Sequence, residues 1–140
     1  YITQRISESG ISADSVLLEV ADHAGVAKAM QNMDAGIFII KPAYSKIASA
    51  PTKLGEFLGC GVPCLGNANV GDIADIIVGE KVGVVLSSFD ADSIRVAVEE
   101  LVCLTKQEGI KAHCRDVAFR YFSLKEGVRS FDRIYRELMV

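Results

Sequence analysis

Residues 49–71 read SAPTKLGEFLGCGVPCLGNANVG and are the most informative part of this 140-residue chain. Pro51 presets the first turn of a helix, Ser49 is a candidate cap for it, and Gly61 is suited to end it. The apolar run 62–65 then predicts a short interior strand of a parallel sheet. The segment is therefore expected to form a loop, a helix, a glycine stop, a buried strand and a glycine turn, in that order.

The predicted helix has one polar and one apolar face when its residues are placed 100° apart. The apolar arc can pack on a sheet, which leaves a hydroxyl, an ammonium and a carboxylate facing outward near the helix N-terminus. Free N–H groups and the positive end of the helix dipole make such an end suitable for phosphate. The polar arc contains Ser49, Thr52, Lys53, Glu56 and Cys60, and the apolar arc contains Leu54, Phe57, Leu58 and Gly61.

A merely solvated surface would give the same pattern, so periodicity alone leaves both interpretations open. Gly55 and Gly59 flank the polar arc, and each costs roughly 1 kcal/mol of helix stability relative to alanine. A missing side chain at these positions would let a ligand or another backbone come close, and close helix–strand packing would explain them equally well.

Composition and charge restrict the function classes. The chain is half hydrophobic, which fits a single α/β domain with a core over residues 1–140. Its net charge of −3 does not favour a general nucleic-acid role, although a local basic pocket is compatible with it. No apolar run approaches the roughly 20 residues of a membrane span, and no secretory signal opens the sequence.

The cysteines do not form a metal-binding pattern. The four of them lie at positions 60, 64, 103 and 114, without a CxxC pair, and the two histidines are not near them in ligand spacing. A zinc site is therefore not expected. Cys60 and Cys64 are interpreted as small, mostly buried residues of a reducing compartment, which favours a cytoplasmic location.

Strands and helices are predicted to alternate along the chain, with Asp22 and either Asp90 or Asp92 as candidate helix caps. Strands are expected at 15–20, 36–40, 62–65 and 82–86. Helices are expected at 1–9, 26–33, from Pro51 to the Gly61 stop, at 71–78, from about 92 to 105 and, in two pieces with a break near Ser123, at 110–139.

This alternation predicts a doubly wound parallel sheet, in which right-handed crossovers place helices on both faces. Ligands of such sheets bind at the carboxyl ends of the strands. The loop 41–50 leaves one of these ends and enters the Pro51 helix, so the polar arc is expected at the ligand-binding edge. Only four strands are predicted where a doubly wound nucleotide domain usually has five or six. The chain is therefore expected to be the later part of such a domain, without its first two strands.

Several segments resemble the C-terminal, donor-binding domain of GT-B glycosyltransferases, in particular the large retaining group called family 4. Residues 51–63, PTKLGEFLGCGVP, are similar to the family motif P-x-K-x-x-E-x-x-A-x-G-x-P. Residues 33–40 resemble the preceding strand, and 69–77 (NVGDIADII) and 82–86 (VGVVL) resemble the following turn, helix and strand. The likeness keeps the family order over most of the chain and implies a Rossmann-like domain that binds a nucleotide sugar.

The resemblance implies roles for the matching residues. Glu56 aligns with the glutamate that holds the ribose hydroxyls of the nucleoside diphosphate. Ser49 and Thr52 would lie near the diphosphate, and Lys53 would offset its charge or remain solvated. Val20 and Ala21 are expected to end a strand at the base-contacting loop, where His23 is more readily explained as a capping or packing residue.

One departure from the family pattern changes the expected sugar contact. Many members have a second glutamate, eight residues before the ribose-binding one, near the transferred sugar. Ala48 stands at that position here. Lys46 therefore becomes a candidate partner for an anionic group of the donor or for a phosphate.

The expected function is donor binding in a hexosyltransferase-like enzyme of glycan biosynthesis, which moves a sugar from a nucleoside-diphosphate sugar to a glycan, lipid or small-molecule acceptor. The resemblance implies no cofactor and no metal. The partners would be the nucleotide sugar and an acceptor-binding N-terminal domain, with no nucleic acid. The resemblance also allows peripheral membrane association of a full-length protein, at the inner face of the membrane. An exposed sheet edge would favour a dimer.

The family's diphosphate-stabilising arginine and lysine come from elements outside these residues, so the chain alone is expected to be inactive. Two alternatives stay open: a non-enzymatic doubly wound binding module, and a sugar-nucleotide epimerase, since epimerases share the GT-B architecture. A dinucleotide-dependent oxidoreductase lacks support because no GxGxxG motif follows a predicted strand.

Overall fold

The computed structural model describes residues 1–139 and contains a three-stranded parallel sheet with helices on both faces. The strands are β1 (Gly36–Ile37), β2 (Cys64–Asn67) and β3 (Gly83–Leu86), in the order β1-β2-β3. Their register aligns Gly36 with Cys64 and Cys64 with Gly83. The predicted fold class, a doubly wound parallel α/β sheet, is confirmed.

Helices alternate with the strands, and the last three helices follow β3 in the chain. Within residues 1–139 they are α1 (Ile2–Glu8), α2 (His23–Gln31), α3 (Thr52–Gly59), α4 (Ile73–Gly79), α5 (Ala91–Thr105), α6 (Ile110–Phe122) and α7 (Leu124–Leu138), with short 3₁₀ turns at Ala13–Ser15 and Tyr44–Lys46.

Two cores lie on opposite faces of the sheet. Cys64 and Leu65 are neighbours in β2 and enter different cores, as the two-residue period of a strand requires. The larger core contains the apolar arc of α3 together with side chains of α4 and α6. The smaller core joins Leu65 to Ala97 and Leu101 of α5. The apolar arc predicted for α3 is therefore buried. Of the polar arc, Thr52, Lys53 and Glu56 are exposed, and Ser49 and Cys60 are half-buried.

The C-terminal end of α3 follows the glycine signal in the sequence. Gly61 has a φ of +81°, its N–H donates to the Leu58 carbonyl, and the Val62 N–H donates to the Phe57 carbonyl. This pair of bonds satisfies helix-end carbonyls in the pattern of a Schellman motif. The helix stop predicted at Gly61 is confirmed.

The predicted caps and the predicted break in the tail are also present. Asp22 accepts a hydrogen bond from the Gly25 N–H at 2.7 Å, and Asp90 accepts one from the Ser93 N–H at 2.9 Å. Of the two candidate caps for α5, Asp90 is the one used, and Asp92 lies in the first turn. Ser123 separates α6 from α7 and has extended backbone geometry.

The strand predicted at residues 15–20 is wrong. A 3₁₀ turn occupies Ala13–Ser15, and the following residues form no strand. The sequence VLLEV at 16–20 has strand-forming side chains, yet a strand is stable only when a neighbour pairs with it. No strand in residues 1–139 pairs with this segment, and Leu17 and Val20 are 80% and 105% exposed.

Two local predictions around α3 also need correction. Ser49 does not cap α3, because the cap position is Pro51 and no side chain bonds to the first turn. Ser49 instead donates its N–H to the Lys46 carbonyl within the loop. The strand predicted at 62–65 begins two residues later, at Cys64, since Pro63 has no N–H to offer a ladder.

All four cysteines are free thiols, and Cys64 and Cys114 are fully buried. Burial raises the pKa of the Cys64 thiol, and burial likewise raises the pKa of Cys114 to about 11. Both thiols are therefore protonated and act as small apolar side chains, as predicted for Cys64. No helix in residues 1–139 combines the length and the apolar character that crossing a membrane requires.

Candidate functional site

The candidate site lies where β1 and β2 end. The chain leaves β1 into the loop 41–50, and it leaves β2 into the turn 68–72. These two segments meet through a hydrogen bond of 3.2 Å from the Gly71 N–H to the Lys46 carbonyl. The fold therefore brings residues far apart in sequence to one edge, the edge at which doubly wound sheets bind ligands.

Gly71 allows this meeting. Its φ is +47°, and a Cβ atom built on it would lie 1.9 Å from the carbonyl oxygen of Ser49. No side chain can occupy that space, and a left-handed backbone is unfavourable for other residues. The contact between loop 41–50 and turn 68–72 thus depends on a glycine at this position.

Two adjoining cavities follow this contact and share Ile47 and Gly71 in their walls. The larger, of about 610 Å³, is also lined by Pro42, Ala43 and Asn69. The smaller, of about 250 Å³, is lined additionally by residues 48–50 and Asp72. The larger cavity has the size of a small-molecule site. We refer to both together as the loop cleft.

Asn67 bridges the chain segments that follow β1 and β2, close in sequence to Pro42 and Asn69 of the loop cleft. It is the buried polar residue of the described chain, at 1% exposure. Its Oδ1 accepts from the Ile40 N–H at 2.8 Å, and its Nδ2 donates to the Ile40 and Ala68 carbonyls at 2.9 and 3.1 Å. Sequence reasoning missed this residue because the strand was expected to end at Leu65, which made Asn67 a turn residue. The available signal was a single amide directly after a buried apolar run.

Lysines outnumber carboxylates in the segments around the loop cleft, where Asp72 is the acidic residue of the lining. Residues 35–55 contain Lys41, Lys46 and Lys53 and no carboxylate. All three lysines are exposed, and none forms an ion pair within residues 1–139. The N-terminus of α3 adds amide groups that no side chain caps. This combination suits an anionic group.

Glu56 lies at a second, separate hollow between α2 and α3. This hollow has a volume of about 490 Å³, and we call it the Glu56 groove. Two of its lining residues are in contact, with the Cys60 Sγ 3.7 Å from the Ala27 carbonyl oxygen. Its walls are mainly apolar, and its lining residues are His23, Ala24, Val26, Ala27, Met30, Glu56 and Cys60.

The structure brings the predicted site residues into two groups. Lys46 and Ser49 lie in the loop against Gly71, and Thr52 and Lys53 form the exposed first turn of α3 beside it. Glu56 stands one helical turn further on. Val20 and Ala21 are exposed and precede α2, so the expectation that they end a strand is wrong.

The two glycines of α3 have different surroundings. A Cβ on Gly55 would lie 2.9 Å from the ring of Phe122, so this glycine permits close packing of α3 on α6. A Cβ on Gly59 would meet nothing within 4 Å. Helix–helix packing therefore explains Gly55, where close approach of a ligand or a strand was the expectation.

Comparisons with known proteins bear on the fold. No protein-family model and no curated protein sequence matches this chain. A solved structure, sucrose-phosphate synthase from Thermosynechococcus elongatus, matches it with a TM-score of 0.75 and 18% sequence identity. That protein is a GT-B glycosyltransferase. The fold is glycosyltransferase-like. The three-stranded sheet with its helices is consistent with the Rossmann-like C-terminal part of a GT-B protein.

The match covers very different fractions of the two chains. It covers 99% of this chain and 33% of the synthase chain, so the chain spans about a third of the length of the protein that it matches. A likeness at this level of identity shows a shared fold. Substrates and activity have to be argued from the residues of the site.

Proposed function

We propose that the chain binds the nucleoside diphosphate of a sugar donor, as the donor-binding part of a glycosyltransferase that acts on a glycan, lipid or small-molecule acceptor. The observation that carries this proposal is the layout of α3. Its uncapped N-terminus borders the lysine-bearing loop cleft, and Glu56 reaches the Glu56 groove four residues later. Four residues of a helix rise about 6 Å. A single nucleotide is long enough to reach both places.

The N-terminus of α3 and the Glu56 carboxylate, one turn further along the helix, suit different parts of such a nucleotide. The diphosphate would lie at the loop cleft, near the amide groups and hydroxyl of Thr52 and the ammonium groups of Lys46 and Lys53. The Glu56 carboxylate would accept hydrogen bonds from the vicinal ribose hydroxyls, and hydrogen bonds to a charged group are worth roughly 1.5–3 kcal/mol. The apolar wall formed by Val26 and Met30 would receive the base.

Sugar transfer itself is proposed for the whole protein. In that protein, positive groups around the diphosphate would stabilise the charge that develops as the leaving group departs. The lysines of the loop cleft would contribute part of that charge. The acceptor and the residues of its subsite would come from outside the chain, which spans a third of the matched synthase.

The ribose assignment is tested by Glu56→Gln in the full chain. Binding of UDP, GDP and the corresponding 2′-deoxynucleotides is measured by calorimetry for wild type and variant. We expect the wild type to bind UDP or GDP roughly tenfold or more tightly than its 2′-deoxy form, because one hydroxyl partner of Glu56 is then lost. In Glu56→Gln this preference should shrink, since the charged acceptor is gone.

The control for this experiment is Glu100→Gln. Glu100 is an exposed carboxylate of α5 with no ion pair among the described residues, and it is distant from α3 in the fold. Its variant should keep the wild-type preference. Equal preference in wild type and Glu56→Gln would reject Glu56 as the ribose partner, and absence of nucleotide binding in the wild type would reject the proposed function.

Lys46 is proposed to contact an anionic group of the donor. This proposal rests on Ala48, which stands where many members of the family that the sequence resembles have a glutamate. Neutral and acidic nucleotide sugars are compared with wild type and Lys46→Ala. We expect the variant to lose affinity for acidic sugars more than for neutral ones. A uniform loss would instead assign Lys46 to the diphosphate, and unchanged binding would remove it from the site.

The alternatives predict different ligand profiles. A non-enzymatic binding module would bind the nucleotide equally well with and without its sugar and would support no turnover in the whole protein. A sugar-nucleotide epimerase would change the configuration of the donor sugar in the absence of any acceptor. Product analysis with the whole protein, with and without acceptor, separates both from transfer.

A further inference from the structure

The pairing of β1 with β2 changes abruptly at Asn67. The Gly36 N–H donates to the Pro63 carbonyl and the Phe38 N–H to the Leu65 carbonyl, at 2.9 and 3.0 Å. The same two-residue step would next join the Ile40 N–H to the backbone carbonyl of Asn67. The Ile40 N–H bonds instead to the side-chain Oδ1 of that residue. A side-chain amide thus occupies the place of a backbone ladder bond.

β2 keeps its other neighbour through this region. The Ala68 N–H donates to the Leu86 carbonyl of β3 at 3.0 Å, and Asn67 stays in register with Leu86. Only the β1 side therefore departs from β2. The Asn67 amide also donates to the Ile40 carbonyl, so it satisfies both backbone groups of Ile40, three residues beyond the end of β1.

We propose that Asn67 is a positioning residue: its amide bridges the segments that follow β1 and β2, and so sets the spacing of the two connections whose Pro42 and Asn69 line the loop cleft. The inserted amide directs the chain after Ile40 away from the turn 68–72, and Gly71 lets the two segments meet again further out. The space between these two connections is the loop cleft. This inference rests on the proposed function in assigning that cleft to the diphosphate of a donor nucleotide.

The chemistry requires an amide at this position. The buried site needs one acceptor for the Ile40 N–H and two donors for the Ile40 and Ala68 carbonyls, which is the set that an asparagine side chain offers. A serine side chain is shorter and has a single donor. An ionised aspartate has no donor, and it would leave the half-buried Ile40 and Ala68 carbonyls without this partner, which is costly.

The test measures backbone amide protection by hydrogen exchange in the full chain, together with UDP and GDP binding. In Asn67→Ser we expect protection of the amides in 40–50 and 68–72 to fall roughly tenfold or more. Amides of α5 should keep wild-type protection. Nucleotide affinity should fall by a similar factor. A merely structural defect would lower protection throughout the chain.

Asn67→Asp provides a second and independent measurement, which also serves if Asn67→Ser does not fold. Burial raises the pKa of a carboxyl group, and a protonated carboxyl again has one donor and one acceptor. We therefore expect the lost protection to recover towards the wild-type level when the pH is lowered from 7 to about 5. Asn32→Asp is the matched control, because the Asn32 amide is exposed and bonds only to the Lys28 carbonyl.

Three outcomes would overturn the proposal: wild-type protection of the loop in Asn67→Ser, an equal loss of protection in α5, or no recovery of Asn67→Asp at lower pH. Unchanged nucleotide affinity despite an opened loop would also overturn it, while leaving the nucleotide function intact. If the wild type binds neither UDP nor GDP, the proposed function fails, and the protection pattern still decides whether Asn67 positions the loop.

Discussion

Gly71 and Asn67 shape the same cleft by opposite means. Asn67 interposes a side chain where two backbones would otherwise pair, and Gly71 removes a side chain where two backbones touch. Neither side chain is proposed to contact a ligand, whereas those of Glu56 and Lys46 are. The geometry of the candidate site therefore depends on residues that contact other parts of the chain and are not themselves assigned a contact with a ligand.

Gly71→Ala should be clearly destabilising. The left-handed backbone costs other residues roughly 1–2 kcal/mol, and the added Cβ would overlap the Ser49 carbonyl, 1.9 Å away. We expect a fall in unfolding free energy of at least about 1 kcal/mol in urea titrations. Gly79→Ala is the control, because a Cβ there meets nothing within 4 Å, and it should leave stability unchanged or slightly raised. Similar urea midpoints for the two variants would contradict the contact between loop and turn.

Helices α4 and α6 are joined by a polar cluster at the end of the sheet away from the loop cleft. Glu80 follows α4, and its carboxylate accepts two hydrogen bonds from Arg120, at 2.6 and 3.1 Å, and one from the Tyr121 hydroxyl at 2.7 Å. The His113 ring contacts the Glu80 carbonyl at 2.7 Å. The bonds from Arg120 and then from Tyr121 hold the pKa of the Glu80 carboxyl below its usual range.

This cluster predicts a pH-dependent stability. Because the folded-state pKa of Glu80 lies below the ordinary value of 4.5, its stabilising effect is complete above that value and is lost as the pH falls through the lowered pKa. We expect Glu80→Gln to lower the melting temperature at pH 7 and the gap to wild type to close as the pH falls below 4. Glu99→Gln, which alters an exposed pair with Arg95 on α5, should give a much smaller gap. A gap for Glu80→Gln that is constant with pH would contradict the assignment.

Elements with signals for their own beginning and end could be predicted from the sequence. Gly61 ends α3, Asp22 and Asp90 cap their helices, and Ser123 divides the tail, since each of these signals acts within a few residues. The segment 15–20 has strand-forming residues as well. Whether this segment forms a strand depends on a pairing partner elsewhere in the fold, which no local sequence pattern reveals.

Some residues of the candidate site could be predicted from local spacing, and others depend on contacts with distant elements. Glu56 and Lys53 follow from helical periodicity, and their exposure agrees with it. The roles of Asn67 and of Gly55 depend on the facing elements: Asn67 bonds to Ile40 in another strand, and Gly55 packs on Phe122 in another helix. Contacts between elements distant in sequence were beyond what spacing could indicate.

Charged residues and exposed apolar side chains are unevenly distributed over the molecule. The chain has a net charge of −3, yet residues 35–55 contain three lysines and no carboxylate, and Asp72 is an acidic residue in the lining of the loop cleft. This local excess of lysine would attract anions, while the overall charge disfavours nucleic acid. Apolar side chains are exposed elsewhere. Ile37 in the edge strand β1 and Ile39, two residues after it, are exposed. Helix α7 presents apolar residues at spacings of four and three: Leu124, Val128, Phe131, Tyr135 and Leu138.

Both exposed surfaces favour self-association, and the sequence-based expectation is a dimer through the sheet edge. Ile37 on β1 is 60% exposed, and Phe131 on α7 is 64% exposed, so a lysine at either position adds charge without disturbing a core. We expect Ile37→Lys to weaken dimerisation in sedimentation velocity by roughly tenfold or more, the effect of about 1.4 kcal/mol at the interface. Val78→Lys, at an exposed position of α4, is the control and should leave association unchanged.

Loss of association in Phe131→Lys, with Ile37→Lys unaffected, would move the interface to α7, where the heptad-like spacing favours a pair of helices. A wild-type chain that stays monomeric at high concentration would contradict the sheet-edge dimer, because an unpaired, largely apolar edge is then insufficient to drive association.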